Sequence, residues 1–206
     1  MRVDLTEDVN EAREEIKGLI RKIGIKRVPS WLPNAITVTG VFITLWASYY
    51  IATGHFSAAF IVFIASQFMD TLDGAFAKEF GLTSRAGAFF DSTMDRITEF
   101  MWYMAFAYYF YKIHMEWVVF LLFTAMFFAF LISYTRARIE GLGEKCEVGF
   151  FQRIFRIYVM SAVIVLMIYS VEIAIGFIGI LLILSIFTAI QRFVYGMKIL
   201  KGKKLD

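Results

Sequence analysis

Six apolar stretches, each near or above the roughly 20 residues a helix needs to cross a bilayer, constrain this chain most: about residues 34–52, 57–78, 86–111, 117–138, 152–171 and 174–197. A composition that is 59% hydrophobic, with a mean hydropathy of +0.66, lies well above that of an ordinary soluble domain. Both prolines, Pro29 and Pro33, precede the first long stretch, so nothing downstream obliges a helix to break. The third and fourth stretches are rich in aromatics, but their length favours helices over buried strands. The expected fold is an all-α integral membrane protein with six transmembrane helices over residues 29–206.

Residues 1–28 read differently. Leu5, Val9, Ala12, Ile16, Leu19 and Ile23 recur at helical spacing with charges between them, which predicts an amphipathic interfacial helix ahead of the first span, with Arg21, Lys22, Lys26 and Arg27 toward headgroups. A soluble helix packed on a partner is the alternative. The segment has neither the short apolar core nor the small-residue cleavage site of a signal peptide. Lysine and arginine set the orientation. Seven precede the first span, while Lys78 and Arg85 follow the second, a group from Arg136 to Arg156 follows the fourth, and Arg192 to Lys204 close the chain. Only Lys112 falls on the other side. By the positive-inside rule both termini and the two longer connections are cytoplasmic in a multi-pass cell-membrane protein. The net charge of +3 is spread over these edges rather than gathered in one stripe, which argues against nucleic acid. The single Cys146 excludes an intrachain disulfide, and with only His55 and His114 besides, the usual zinc ligand sets are missing.

Four aspartates interrupt this apolar background at Asp70, Asp73, Asp91 and Asp95. A carboxylate within the hydrocarbon costs roughly 2.5–3.5 kcal/mol on insertion scales, so four in one short region require a cation or a wet cavity. Asp70 and Asp73 share one face of the second helix, and Asp91 and Asp95 one face of the third. The short turn near Glu79–Arg85 makes those helices antiparallel neighbours, so the four groups can converge at the cytoplasmic edge. Two Mg²⁺ or Mn²⁺ ions would neutralise them with hard oxygen ligands, an arrangement that recurs in phosphoryl displacement. Gly74 and Gly87 flank the cluster, Ala77 continues a small surface, and Lys78 adds a cation that could equally be a snorkelling anchor.

Residues 70–95 read D-x2-D-G-x2-A-K-x8-G-x3-D-x3-D, which resembles the signature of the CDP-alcohol phosphotransferase family, also called CDP-alcohol phosphatidyltransferases. The family has arginine where Lys78 stands, so the charge is kept and the bidentate fork is lost. The resemblance implies a magnesium-dependent membrane enzyme of phospholipid biosynthesis, a homodimer, that transfers the phosphoryl-alcohol half of a CDP-linked lipid to a hydroxyl acceptor and releases CMP. It implies Asp70, Asp73, Asp91 and Asp95 as ligands of two metal ions, with Asp95 also the catalytic base. It implies Gly74, Ala77, Lys78 and Gly87 as nucleotide-facing positions, and the Pro-Asn-Ala-Ile-Thr entry to the first helix adds Asn34 and Thr37.

A second cationic set comprises Arg136 and Arg138, Arg153 and Arg156, and Arg192. Positive-inside anchoring explains many such arginines, yet arginine also suits a phosphate carried by an acceptor. The runs Ser133–Arg138 and Gly149–Arg153 resemble those of phosphatidylinositol-phosphate and archaetidylinositol-phosphate synthases, although Ile154 replaces that branch's usual proline. This resemblance implies Arg136, Arg153 and Arg192 as acceptor phosphate-binding residues, inositol 1-phosphate as acceptor, and CDP-diacylglycerol or CDP-archaeol as donor. Glycerol 3-phosphate as acceptor and CDP-inositol as donor keep the same reaction. A membrane ion or metal transporter is the alternative of another class. It would place acidic groups near the midplane or on several helices, often with repeat symmetry, whereas only Glu172 lies between the last two stretches.

Overall fold

The computed structural model describes residues 14–18, 22 and 27–201. Among them six long helices follow one another and no strand occurs: α1 (Leu32–Thr53), α2 (Phe56–Glu79), α3 (Arg85–Lys112), α4 (Glu116–Glu140), α5 (Arg153–Tyr169) and α6 (Val171–Leu200). They occupy the six apolar stretches expected from the sequence. By length and composition α1, α2, α4 and α6 are long and apolar enough to cross a membrane. The other two fall short for separate reasons. α3 has the length, but Arg85, Asp91, Asp95, Arg96 and Glu99 crowd its first fifteen residues, and α5 has only 17 residues. Large apolar side chains such as Phe42, Ile61, Phe120 and Ile183 are more than half exposed, as a surface facing lipid rather than water requires.

The chain divides into two compact units, Met1–Tyr109 and Phe110–Asp206, with the boundary inside α3. In the first unit, α1 and α2 pack tightly along their length. Pro33 stands in the first turn of α1, where its missing N–H costs nothing. Gly54 ends α1 at φ 82°, and only the two residues Gly54 and His55 separate α1 from α2. Close approach relies on Gly40, where an added Cβ would lie 3.2 Å from Met69 Cβ.

α2 and α3 meet through larger side chains. Phe56 packs on Tyr109 and Phe63 on Trp102, each with ring centroids 4.9 Å apart. These pairs advance seven residues along α2 and retreat seven along α3, the signature of an antiparallel register. The next step of that register is Asp70 with Asp95. One helix pair is therefore aromatic at one end and acidic at the other.

Of the predicted amphipathic helix, residues 14–18 are helical, and Ile16 is buried against Ala75, with Leu72, Phe76 and Phe80 alongside. The other stripe positions, Leu5, Val9, Ala12, Leu19 and Ile23, lie outside the described residues.

In the second unit α6 packs against both α4 and α5. The Ser170 hydroxyl caps α6 by accepting from the Ile173 N–H. The connection between α4 and α5 is laced to one stripe of α6. The Phe151 N–H donates to Thr188 Oγ1 (3.1 Å), the Phe150 N–H to Gln191 Oε1 (3.4 Å), Arg192 Nε to the Val148 carbonyl (2.8 Å) and the Tyr195 hydroxyl to the Lys145 carbonyl (3.3 Å).

Candidate active site

The acidic site forms where α2 ends and α3 begins, on either side of residues 80–84. Ser84 starts α3, its hydroxyl accepting from the Gly87 N–H at 3.0 Å. A Cβ on Gly87 would stand 3.1 Å from that oxygen, so the glycine at this signature position also keeps the cap compact. From there two turns of α3 carry Asp91 and Asp95 toward the last turns of α2.

The carboxylates do converge. Asp70, Asp91 and Asp95 each present an oxygen atom, and all three lie within 4.8 Å of one another; Asp91 is exposed and the other two are half-buried. Three carboxylates so close repel one another unless a cation intervenes. Their oxygens are the donors that Mg²⁺ and Mn²⁺ prefer, with solvent able to enter on the Asp91 side. These residues thus fit a divalent ion on chemical grounds.

Asp73 has a different setting. It is 6% exposed and accepts a hydrogen bond from Thr37 Oγ1 across the α1–α2 interface. The same hydroxyl lies 3.1 Å from the Pro33 carbonyl. A hydroxyl has one proton to donate, and a carboxylate is the stronger acceptor. Thr37, expected to face nucleotide, is thus turned onto a signature carboxylate; Asn34, one turn earlier, is exposed. On α2, Gly74 and Ala77 are half-buried and Lys78 is exposed.

Two further charges adjoin the cluster. Arg96 Nη1 donates to Glu99 Oε2 at 2.9 Å, and Arg96 Nη2 lies 3.8 Å from Asp95 Oδ2. Glu99 is only 1% exposed. The sequence reading passed over both residues. Their signal was an ionisable pair three residues apart, continuing into an apolar run just after Asp95.

The second unit holds the basic set. Arg136 is exposed, with Nε donating to Glu140 Oε1 at 2.8 Å. Arg153 opens α5 and is half-buried. Arg156 is buried, with Nη1 3.4 Å from the Phe151 carbonyl. Arg192 is buried too, and besides Val148 its Nη1 donates to the Ile132 carbonyl at 2.7 Å. It therefore joins α6 to α4 and to the connection that leads into Arg153. Gly149, at φ 128°, makes room for it, since a Cβ there would stand 2.6 Å from Arg192 Nε.

Comparison with known proteins gives the arrangement its context. The family model described as CDP-alcohol phosphatidyltransferase matches residues 30–191, which include the whole acidic site as well as Arg136, Arg153 and Arg156 and end one residue before Arg192. An archaetidylinositol phosphate synthase of Pyrococcus horikoshii is 31% identical over 187 residues, covering 89% of this chain and 94% of the relative. The fold is similar to that of the Mycobacterium tuberculosis phosphatidylinositol phosphate synthase PgsA1 crystallised with CDP-DAG, with a TM-score of 0.76, 22% identity and coverage of 90% of this chain and 92% of that one. A second crystal structure of that protein, in complex with manganese and citrate, gives a TM-score of 0.74 at 24% identity, covering 89% and 88% of the two chains. Signature spacing, converging carboxylates, helical membrane architecture and the extent of the match agree, and this chain belongs to the CDP-alcohol phosphatidyltransferase family of membrane transferases.

Proposed function

We propose that this enzyme transfers the phosphoryl-alcohol part of a CDP-linked lipid, CDP-diacylglycerol or CDP-archaeol, to inositol 1-phosphate and releases CMP. The observation that carries the reaction is the convergence of Asp70, Asp91 and Asp95. The choice of acceptor is supported by the name of the Pyrococcus relative, which aligns over nearly its whole length, and by the chemistry of the arginines. In this reading Asp70, Asp73, Asp91 and Asp95 would hold two Mg²⁺ or Mn²⁺ ions, which would supply charge neutralisation for the pyrophosphate and its leaving group.

The placement of the side chains supports the following roles for the protein itself. Thr37 holds the Asp73 carboxylate in one orientation. Gly74, Ala77 and Gly87 offer small surfaces to the nucleotide, and Lys78 and Asn34 provide polar contacts to it. Asp95 accepts the proton of the acceptor hydroxyl. The acceptor oxygen then bonds to the lipid-side phosphorus as the bond from that phosphorus to the bridging pyrophosphate oxygen breaks, and CMP departs with the electron pair. Arg136, Arg153 and Arg192 serve the acceptor's own phosphate, the first two by direct contact and Arg192 with whatever donor capacity its carbonyl contacts leave. In the same reading α3 and α5 complete six spans, the acidic site and both termini are cytoplasmic, residues 1–28 form an interfacial helix, and the enzyme is a homodimer.

The test is CMP release by purified protein with CDP-diacylglycerol, CDP-archaeol or CDP-inositol as donor and Mg²⁺, using inositol 1-phosphate, free inositol and glycerol 3-phosphate as acceptors. Turnover restricted to inositol 1-phosphate supports the reading. A preference for glycerol 3-phosphate, or activity only with CDP-inositol as donor, would keep the chemistry and replace the substrate. No CMP release with any pair would remove it.

A further inference from the structure

Arg153 is the first residue of α5, and the local sequence gives that start little support. The Gln152 side chain at the N-cap makes no capping hydrogen bond among the described residues. Arg153 and Arg156 both stand near the positive end of the helix dipole, which disfavours cations. The start is held instead from α6. The Phe151 N–H, two residues ahead of Arg153, donates to Thr188 Oγ1 at 3.1 Å, and the Phe151 carbonyl accepts from Arg156 Nη1 at 3.4 Å. Thr188 is 0% exposed and Phe151 1%, so water is a poor substitute for either bond. Gln191, Arg192 and Tyr195 bind the earlier part of the same connection, but the Thr188 contact is the one that lies nearest Arg153 along the chain and is fully buried.

We infer that Thr188 is a positioning residue for Arg153: by holding the Phe151 peptide against α6 it sets where α5 begins, and so where the Arg153 guanidinium meets the acceptor's phosphate. The inference rests on the reading of Arg153 as an acceptor phosphate contact. Thr44, Thr124 and Thr135 turn their hydroxyls onto carbonyls one turn back in their own helices. Thr188 uses its oxygen on a loop amide 37 residues away in sequence. Valine would fill the same space, so what threonine adds at this place is an acceptor for that amide.

The experiment follows CMP release by full-length protein in detergent with CDP-diacylglycerol or CDP-archaeol, Mg²⁺ and inositol 1-phosphate, and separates acceptor KM, donor KM and kcat. Thr188→Val keeps the volume and removes the acceptor for the Phe151 amide. Its acceptor KM should rise about fivefold, the scale of one hydrogen bond, with donor KM and kcat changed less than about twofold. Thr188→Ser, which restores the hydroxyl, should come back to within about twofold of wild type. Because Thr188 acts through Arg153, adding Thr188→Val to Arg153→Gln should leave the acceptor KM within about twofold of Arg153→Gln alone. Should Thr188→Val fail to fold, Thr188→Cys reads the same contact. Sulfur is a weak acceptor, and the acceptor KM alone should rise about threefold. A wild-type acceptor KM in folded Thr188→Val, equal rises in acceptor and donor KM, or a further rise of about fivefold on top of Arg153→Gln would overturn the inference, since each describes a residue that only packs or that loosens the fold at large. Arg153→Gln is the control for the underlying reading. A wild-type acceptor KM there, or no turnover with inositol 1-phosphate at all, refutes that reading and this inference with it, whereas a rise there with none in Thr188→Val refutes only the positioning role.

Discussion

Removing one hydroxyl, in Thr37→Val, separates two roles that this residue could have. Valine keeps the shape of threonine, so packing between α1 and α2 is preserved and only the donor to Asp73 is lost. Asp73 is 6% exposed, so water replaces that donor poorly. A hydrogen bond to a charged acceptor is worth about 1.5–3 kcal/mol. Expressed in cation affinity, that is about 10–150-fold in the dissociation constant. Expressed in folding, it lowers the thermal midpoint by about 3–12 °C for a chain of this size. The two effects share one source and should appear together in Mn²⁺ titration and thermal unfolding of the purified protein. Thr37→Ser, which restores the hydroxyl, should recover most of both. If Thr37 instead contacts the nucleotide directly, Thr37→Val will raise the donor KM while Mn²⁺ affinity and thermal midpoint stay at wild-type values. That outcome would refute the assignment of Thr37 to Asp73.

Asp91→Asn, at the exposed member of the convergent trio, should abolish CMP release while thermal unfolding in detergent stays near wild type; near-normal turnover would exclude the metal assignment. Lys78→Ala should raise the donor KM several-fold and Lys78→Arg should not, because the exposed cation acts by charge if it meets phosphate; equal kinetics for Lys78→Ala and wild type would make Lys78 a membrane anchor. Gly149→Ala should destabilise the second unit by about 2–4 kcal/mol, combining backbone strain at φ 128° with displacement of Arg192, and a thermal midpoint within a degree of wild type would contradict the close approach. Arg153→Gln should raise the KM for inositol 1-phosphate more than about tenfold with donor KM unchanged, whereas Arg192→Gln should also lower the thermal midpoint, since it breaks two bonds to backbone carbonyls; a donor KM that rises in Arg153→Gln would sink the acceptor-phosphate role.

Much of this was legible in the sequence because it depends on local spacing. Apolar run length located six helices, and three- and four-residue spacing put each aspartate pair on one helix face. The connection at 80–84 was short enough to require antiparallel neighbours. What spacing could not give was the partner of each group across helices. Thr37 and Asp73 are 36 residues apart, and nothing in either helix's own pattern reveals that α1 turns its hydroxyl toward that carboxylate. Arg192 was legible as a cation at a helix end, but its bonds to Val148 and Ile132 depend on how the connection after α4 folds over α6. The apolar stripe before α1 was expected to lie in the membrane interface with its cations toward headgroups, and of that stripe Ile16 packs on α2 beside Ala75; Ala75 and Phe76 are the two unspecified positions between Gly74 and Ala77 in the signature, so Ile16 meets α2 at positions the signature leaves open.

The register between α2 and α3 explains how one pair of helices can be both apolar and acidic. Phe56 with Tyr109 and Phe63 with Trp102 fix rotation and stagger by ring contacts worth about 0.5–1.5 kcal/mol each beyond their burial. One further heptad along the same line comes Asp70 with Asp95, whose mutual repulsion alone would push the helices apart. The aromatic layer therefore holds the register that brings the carboxylates within 4.8 Å, and neutralisation by a cation would remove the opposing force. Seen this way, Glu99 and Arg96 occupy the seam between the two regimes. Arg96 bonds the buried Glu99 at 2.9 Å and stands 3.8 Å from Asp95, so it couples the end of the aromatic layer to the acidic cluster.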